Sequence, residues 1–147
     1  MNIVRQDTDY ALRIMVNLAR RCRSGAVSAR VLADQEDISY QFTCKILQQL
    51  HKARLVGSTM GPKGGFSLAK APAEICTLEI IEAIQGPVSL NKCLLSTGSC
   101  PRQPYCVVSR KLAKLQEYLD AYLRHITLQQ LAVPDTRKKT AVRRRNR

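Results

Sequence analysis

Near the start of the chain, apolar residues recur at helical spacing. Ala11, Leu12, Ile14, Met15, Val16, Leu18 and Ala19 form a wide stripe, with Arg13, Asn17 and Arg20 on the opposite side. This pattern predicts a first helix over residues 8 to 21 with one buried face. A second, short helix is predicted from Ser28 to Glu36, with the Ser28 hydroxyl capping free amides and Val27 and Leu32 at staple positions. After the link Asp37-Ile38, Ser39 is placed to cap a third helix. There Phe42, Ile46, Leu47 and Leu50 face inward, while Gln41, Lys45, Gln48, Gln49 and Lys52 face out.

The pattern then changes. Leu55-Val56 and Phe66-Ser67-Leu68 read as two short strands around a turn that holds three of the chain's seven glycines, at 61, 64 and 65. Thr77 is placed to cap a fourth helix through Leu78, Ile81 and Ile84, ended by Gly86-Pro87. Irregular structure is expected from Val88 to Tyr105. Beyond it Val108, Leu112, Leu115, Leu119, Tyr122 and Ile126 alternate spacings of four and three. Such a seam predicts one long helix over 107 to 130, about 36 Å at 1.5 Å per residue. A seam this long has little core left to cover in so small a domain, so it is expected to meet a copy of itself in a homodimer, with packing on the chain's own first helix as the alternative. The fold class expected is mainly α: a winged helix-turn-helix region (1–86), a cysteine loop (87–106), a long C-terminal dimerisation helix (107–133) and a tail (134–147).

Composition narrows the function. The 147 residues carry 24 Lys and Arg against 11 Asp and Glu, a formal net charge of +13. Residues 134–147 hold seven of those cations and one acid, so the body is basic without its tail, which is expected to be disordered. Seven aromatics and no Trp leave little for a base-stacking platform. No apolar run approaches the ~18 residues of a membrane span, and the N-terminus lacks an export signal, so a cytoplasmic protein with no membrane partner is expected. Six cysteines in that setting read as reduced thiols rather than as a disulfide framework.

Two helices, a short link and a glycine-tipped hairpin follow the order of a winged helix-turn-helix, whose third helix enters the major groove. The outer face of 39 to 54 offers Ser39, Gln41, Thr43, Lys45, Gln48, Gln49, His51 and Lys52 and no acid, which suits base edges and phosphates. In Gly61-Pro62-Lys63-Gly64-Gly65, unshielded amides, including that of Gly64, and the Lys63 ammonium can approach phosphate or the minor groove. No Lys-Ser/Thr ending and helix follow, so this is not a nucleotide-binding loop. DNA-binding residues are thus expected at Ser39, Gln41, Thr43, Lys45, Gln48, Lys63 and Gly64.

The second candidate site is Cys93, Cys100 and Cys106 within CLLSTGSCPRQPYC. Three soft donors on a loop broken by Gly98, Pro101 and Pro104 can fold around a metal ion or an iron–sulfur cluster; a redox thiol pair or unligated cysteines are the alternatives. Cys106 falls near the start of the long helix, where amides and the dipole favour a thiolate. Zinc ordinarily takes closer ligand pairs and a fourth thiolate or imidazole nearby, and this loop has neither. Cys22, Cys44 and Cys76 sit in or beside helices and read as ordinary small residues.

Together these motifs resemble the IscR/NsrR type of bacterial winged-helix regulators, named for the iron–sulfur cluster assembly repressor and the nitric-oxide-sensitive repressor. The resemblance rests on DYALRIMVNLA (9–19), the segment from Ile38 to Val56, GPKGGFSLAKAP (61–72), LEIIEAIQG (78–86), the three-cysteine loop and ITLQQLA (126–132). It implies a homodimer holding an iron–sulfur cluster, [4Fe-4S] or [2Fe-2S], on Cys93, Cys100 and Cys106. The cluster assembly repressors follow the third cysteine with a histidine, whereas Val107, Val108, Ser109 and Arg110 stand here. They also carry an arginine at the position of Met60 and an acid at that of Cys44. In the nitric-oxide-sensitive branch, an aspartate before Tyr-Ala-Leu-Arg reaches the cluster of the other subunit, and the resemblance gives that role to Asp9. On sequence alone, Asp9 also reads as a helix cap.

The function expected is a homodimeric DNA-binding regulator, a repressor acting on a double-stranded operator and controlled by the cluster in response to nitric oxide, iron or redox state. No enzyme is expected, since no acid/base pair or substrate motif accompanies the thiols. The rivals are a cluster-free regulator using a thiol switch or a protein partner, and an iron–sulfur electron carrier.

Overall fold

The computed structural model describes residues 3–96, 98 and 100–133. The expectation for the basic tail at 134–147 lies outside the described residues. Helix α1 (Gln6–Arg20) forms the centre of the fold. Its stripe buries Ala11, Ile14, Met15, Leu18 and Ala19, and it packs against α4 (Thr77–Gln85) and α7 (Leu128–Ala132) as well as against α2 (Ala29–Glu36).

Ser28 caps α2 by accepting from the Val31 amide, and Ser39 caps α3 (Tyr40–Lys52) by accepting from the Phe42 amide. Between them Asp37 adopts a left-handed conformation (φ 55°), which stops α2 and turns the chain into α3. Asp tolerates this region because its short polar side chain bonds locally. On α3, Ile46, Leu47 and Leu50 enter the core.

Strands β1 (Val56–Thr59) and β2 (Gly65–Leu68) pair antiparallel in the register Val56↔Leu68 to Thr59↔Gly65. Val27 adds a bridge to Phe66 through reciprocal backbone bonds of 2.9 and 2.8 Å. That bridge brings the backbone of Val27 against Gly65, where a Cβ would lie 2.4 Å from the Val27 carbonyl oxygen; the φ of +154° also favours glycine. The hairpin is therefore tied to the body by a position that only glycine fills without displacement.

Several expectations are corrected. The N-cap of α4 is Cys76: Glu79 accepts from the Cys76 amide at 2.9 Å, completing a capping box. Partial burial opposes ionisation of Glu79, but the Cys76 amide and the Lys70 ammonium prevail and hold its carboxyl below the ordinary value. Thr77 instead donates its hydroxyl to the Ile126 carbonyl. The segment expected to be irregular contains a short helix α5 (Lys92–Leu95) and a single 3-10 turn at Gln103–Tyr105.

The long helix is shorter than its pattern implied. Helix α6 runs from Val107 to His125, about 28 Å at 1.5 Å per residue. It ends because Ile126 turns extended and residues 126–128 pair with residues 75–77: the Thr77 amide donates to Ile126, and the Leu128 amide to Ile75. Thr127 then opens a new capping box, and α7 returns to α1 with Leu128 fully buried. The alternating seam is likewise split. Leu119 and Leu123 pack on Leu78, Ile81 and Val88, whereas Val108, Leu115, Tyr118 and Tyr122 remain 64%, 53%, 76% and 67% exposed.

Thr43, expected on the wet face of α3, is fully buried, and its hydroxyl has no hydrogen-bond partner. It falls on the side of the helix that carries Ile46, Leu47 and Leu50, so packing claims it and DNA contact is excluded. Thr43→Val removes the orphan hydroxyl at constant shape. Chemical denaturation should show a gain of about 1 kcal/mol, with operator affinity unchanged. Gly65→Ala should cost about 1–3 kcal/mol in the same assay, because the added methyl overpacks against backbone. Gly57→Ala, whose Cβ would meet nothing within 4 Å, should be neutral or stabilising by up to about 1 kcal/mol.

Candidate DNA interface and cysteine loop

The third helix presents Ser39, Gln41, Lys45, Gln48, His51 and Lys52 to solvent, with Gln49 and Cys44 half-exposed. With Thr43 removed, the remaining face still carries amides, cations and a hydroxyl and no carboxylate. Two residues outside the expected set join it. Arg30 on α2 lies 5.0 Å over the ring of Tyr40 at the start of α3, a cation–π contact linking the two helices. Hydrogen bonding of the Tyr40 hydroxyl with the Cys44 side chain, one turn on along α3, pushes its pKa above the ordinary value, with Arg30 opposing. The pair Tyr40 and Cys44, four apart on a helix, was visible in the sequence. The cation from α2 was not, since its approach depends on the turn at Asp37.

In the hairpin, Lys63 is exposed and Met60 is 97% exposed at the tip. The Gly64 amide, expected to be free for phosphate, donates instead to the Gly61 carbonyl at 2.9 Å. A Cβ on Gly64 would sit 2.3 Å from the Thr59 carbonyl oxygen, so this glycine is required to close the turn. The wing therefore offers a cation and an apolar tip, and Gly64 serves its shape.

All three loop cysteines are free thiols and half-buried. Cys93 lies within α5, Cys100 precedes the 3-10 turn, and Cys106 is the N-cap of α6, where its sulfur accepts from the Ser109 amide at 3.4 Å. Among the described residues, no three His, Cys, Asp or Glu side chains are gathered as a metal-holding group. The structure thus places the three thiols on one loop without closing them on each other or on Asp9. The donor set itself fits a soft centre: thiols, reduced and reachable, one of them already receiving a helix amide.

Asp9 is exposed in the first turn of α1. No hydrogen bond or ion pair is found for its carboxylate among the described residues, so it caps no amide there, while its place in the first turn suits the helix dipole. Asp7, two residues earlier, accepts from the Thr8 amide and pairs with Arg5 at 3.3 Å. The entry to α1 is instead satisfied from α4. The Gln85 side-chain oxygen accepts from the Arg5 amide (3.0 Å) and from the buried Thr8 hydroxyl (2.8 Å), while its NH₂ group donates to the Ile3 carbonyl (2.8 Å). Gln85 is the last residue of α4, directly before the loop. At the far side Gln116 of α6 accepts from the Leu90 amide (2.9 Å) and donates to the Val88 carbonyl (3.0 Å). One side-chain amide therefore fastens the start of the loop to α6, and another fastens its root to α1. Neither glutamine was singled out from the sequence, because each acts through a partner about 30 to 80 residues away.

Among the described residues no helix is long and apolar enough to cross a membrane. Residues 4–134 match the Rrf2 family, described as an iron-dependent transcriptional regulator. The chain is 34% identical over 129 residues to the HTH-type transcriptional regulator NsrR of Shouchella clausii, covering 87% of this chain and 83% of that protein. It is 30% identical over 122 residues to the HTH-type transcriptional regulator IscR of Cronobacter sakazakii, covering 83% and 75% respectively. In three dimensions it resembles CymR, the global cysteine regulator of B. subtilis, with a TM-score of 0.73 at 25% identity over 90% of this chain and 97% of that one. The order of helices, the glycine wing and these likenesses agree: the chain belongs to the Rrf2 family of winged-helix proteins and is a transcriptional regulator, not an enzyme.

Proposed function

We propose that the chain acts in the cytoplasm as a homodimeric repressor that binds a roughly palindromic double-stranded DNA operator. Its affinity is set by an iron–sulfur cluster held on Cys93, Cys100 and Cys106, with Asp9 donated across the dimer as fourth ligand. The observation that carries this reading is the position of the three-thiol loop, anchored through Gln85 to α1 and through Gln116 to α6. When bound, such a cluster supplies chemistry that responds to redox state, iron supply and nitric oxide.

The chain's own residues supply the rest. Val108, Leu115, Tyr118 and Tyr122 form an exposed apolar stripe on α6, which supports pairing with a second copy. In that dimer the two α3 helices would meet half-sites about 34 Å apart, or a multiple of it. Gln41, Gln48 and Lys45 would read base edges, with Ser39 and Lys63 on phosphates. A change of loop shape would shift α1 through Gln85 and Thr8, and with it the helix pair packed on α1. Asp9, in the first turn of that helix, would report the same movement. The signal acts only through its different free energy in the two conformers.

Anaerobic purification with iron and sulfide analysis tests the cofactor. The wild-type chain should be coloured, and Cys93→Ala, Cys100→Ala and Cys106→Ala should each lose the colour, while Cys22→Ala and Cys76→Ala keep it. Asp9→Ala should retain an altered, less stable cluster. Colourless, iron-free wild-type protein that still binds its operator would establish the thiol-switch rival. Tyr122→Asp should shift sedimentation from dimer to monomer. Gln41→Ala should cost about 1–3 kcal/mol on operator DNA and little on random DNA, whereas Lys63→Ala should weaken both and lower the salt slope by about 1. Equal losses on both DNAs for Gln41→Ala would remove its base-reading role.

A further inference from the structure

Gln103, in the 3-10 turn between Cys100 and Cys106, bonds to the backbone of all three cysteines. Its side-chain NH₂ group donates to the Cys93 carbonyl at 2.6 Å. Its amide donates to the Cys100 carbonyl at 3.0 Å, and its carbonyl accepts from the Cys106 amide at 3.4 Å. The remaining side-chain oxygen accepts from the Gly98 amide at 2.9 Å, in the stretch that joins Cys93 to Cys100. The side chain is half-buried, and it lies across the loop from α5, ten residues away in sequence.

We propose that Gln103 is the positioning residue of the cysteine loop: it holds the backbones of Cys93, Cys100 and Cys106 as one unit, from which their thiols bind a soft metal centre together. This rests on the reading of the loop as a cluster site and adds to it a residue that is not a ligand. The physical case is entropic. Without a cross-link, Cys93 and Cys106 are ends of a flexible segment, and collecting their sulfurs requires closing that segment anew. With the Gln103 amide bridging to Cys93, most of that closure is made before any ligand arrives. Only a side chain with a donor and an acceptor on one planar group can serve the Cys93 carbonyl and the Gly98 amide at once. The substitution Gln103→Glu would keep the acceptor for Gly98 and set a carboxylate against the Cys93 carbonyl.

Two measurements test the proposal, one of them without metal. In metal-free reduced protein, iodoacetamide labelling followed by mass spectrometry reads each thiol separately. Gln103→Ala keeps the main-chain bonds to Cys100 and Cys106 and removes only the side-chain bridge to Cys93 and Gly98. It should therefore accelerate labelling of Cys93 about 10-fold, that of Cys100 and Cys106 by less, and leave Cys22, Cys44 and the thermal midpoint unchanged. Gln103→Glu should free Cys93 while the Gly98 amide stays protected in hydrogen exchange, a split that general loosening of the fold does not produce. In protein reconstituted anaerobically with ferrous iron and sulfide, Gln103→Ala should keep the wild-type absorption spectrum and lose iron to a chelator about 10- to 100-fold faster, as for the loss of an outer-sphere support. Labelling rates and Gly98 exchange equal to wild type in Gln103→Ala would overturn the proposal, as would unchanged iron loss. If labelling responds but the wild-type chain takes up no iron and sulfide, Gln103 still holds the loop and the cluster reading falls.

Discussion

Burial of the apolar face of α1 against α2, α3, α4 and α7 is the constraint on which the molecule depends. A helix whose residues Ala11, Ile14 and Met15 are fully buried on one face moves only together with the elements packed on that face, while Asp9, Arg13 and Arg20 on the other face remain exposed. Ala11, Ile14 and Met15 share one core with Leu32 of α2, Ile46, Leu47 and Leu50 of α3, and Ile80 and Ile84 of α4. Interiors packed at crystal-like density transmit displacement instead of absorbing it. Under the proposed mechanism, a change at the cysteine loop would reach α3 through such a body. Leu12 is placed for this, since it touches both the main core and the smaller cluster under α6.

Local chemistry made most of the elements legible. Ser28 and Ser39 cap the helices expected of them, Gly86 follows α4, and the glycine-rich turn closes a hairpin. The errors arose where a distant segment competed for the same groups. Thr77 has the composition of a cap, but the Ile126 carbonyl takes its hydroxyl and leaves the cap to Cys76 and Glu79. Periodicity carried α6 through Ile126 because the apolar spacing continues there; the backbone pairing that breaks the helix leaves no trace in spacing. Thr43 illustrates a finer limit. Its spacing to Ile46, Leu47 and Leu50 places it on the apolar face, and the hydroxyl drew the expectation outward against that spacing.

Among its donors the candidate site was legible in part, the Thr43 hydroxyl and the Gly64 amide being claimed by the fold, and its supports were not legible. Thiols, amides and cations announce themselves by residue type and position, and the loop cysteines stand where the sequence places them. Gln85, Gln103 and Gln116 do not, since an uncharged amide is commonplace on a surface and becomes informative only when both its halves are engaged. Each of these glutamines bonds in both directions, donor and acceptor, to backbone elsewhere in the chain. The cysteine region is thus framed by side-chain amides in place of regular secondary structure. Such a frame has directional bonds and no ladder, so it can be rearranged one bond at a time.

The pairing of residues 75–77 with 126–128 has a consequence for how the protein is made. Leu128 is fully buried in the same core as α1 and α3, so the winged helix is completed by a segment near the end of the described chain. During synthesis the first 86 residues emerge with that place unfilled and with the backbone of Ile75 and Thr77 unpaired, and they wait for some forty more before the core can close. The winged helix is therefore not an autonomous module to which the rest of the chain was appended. The cysteine loop, α6 and α7 follow the winged helix in one closed circuit of chain, and a winged helix with a complete core is always one whose cysteine loop has already been made.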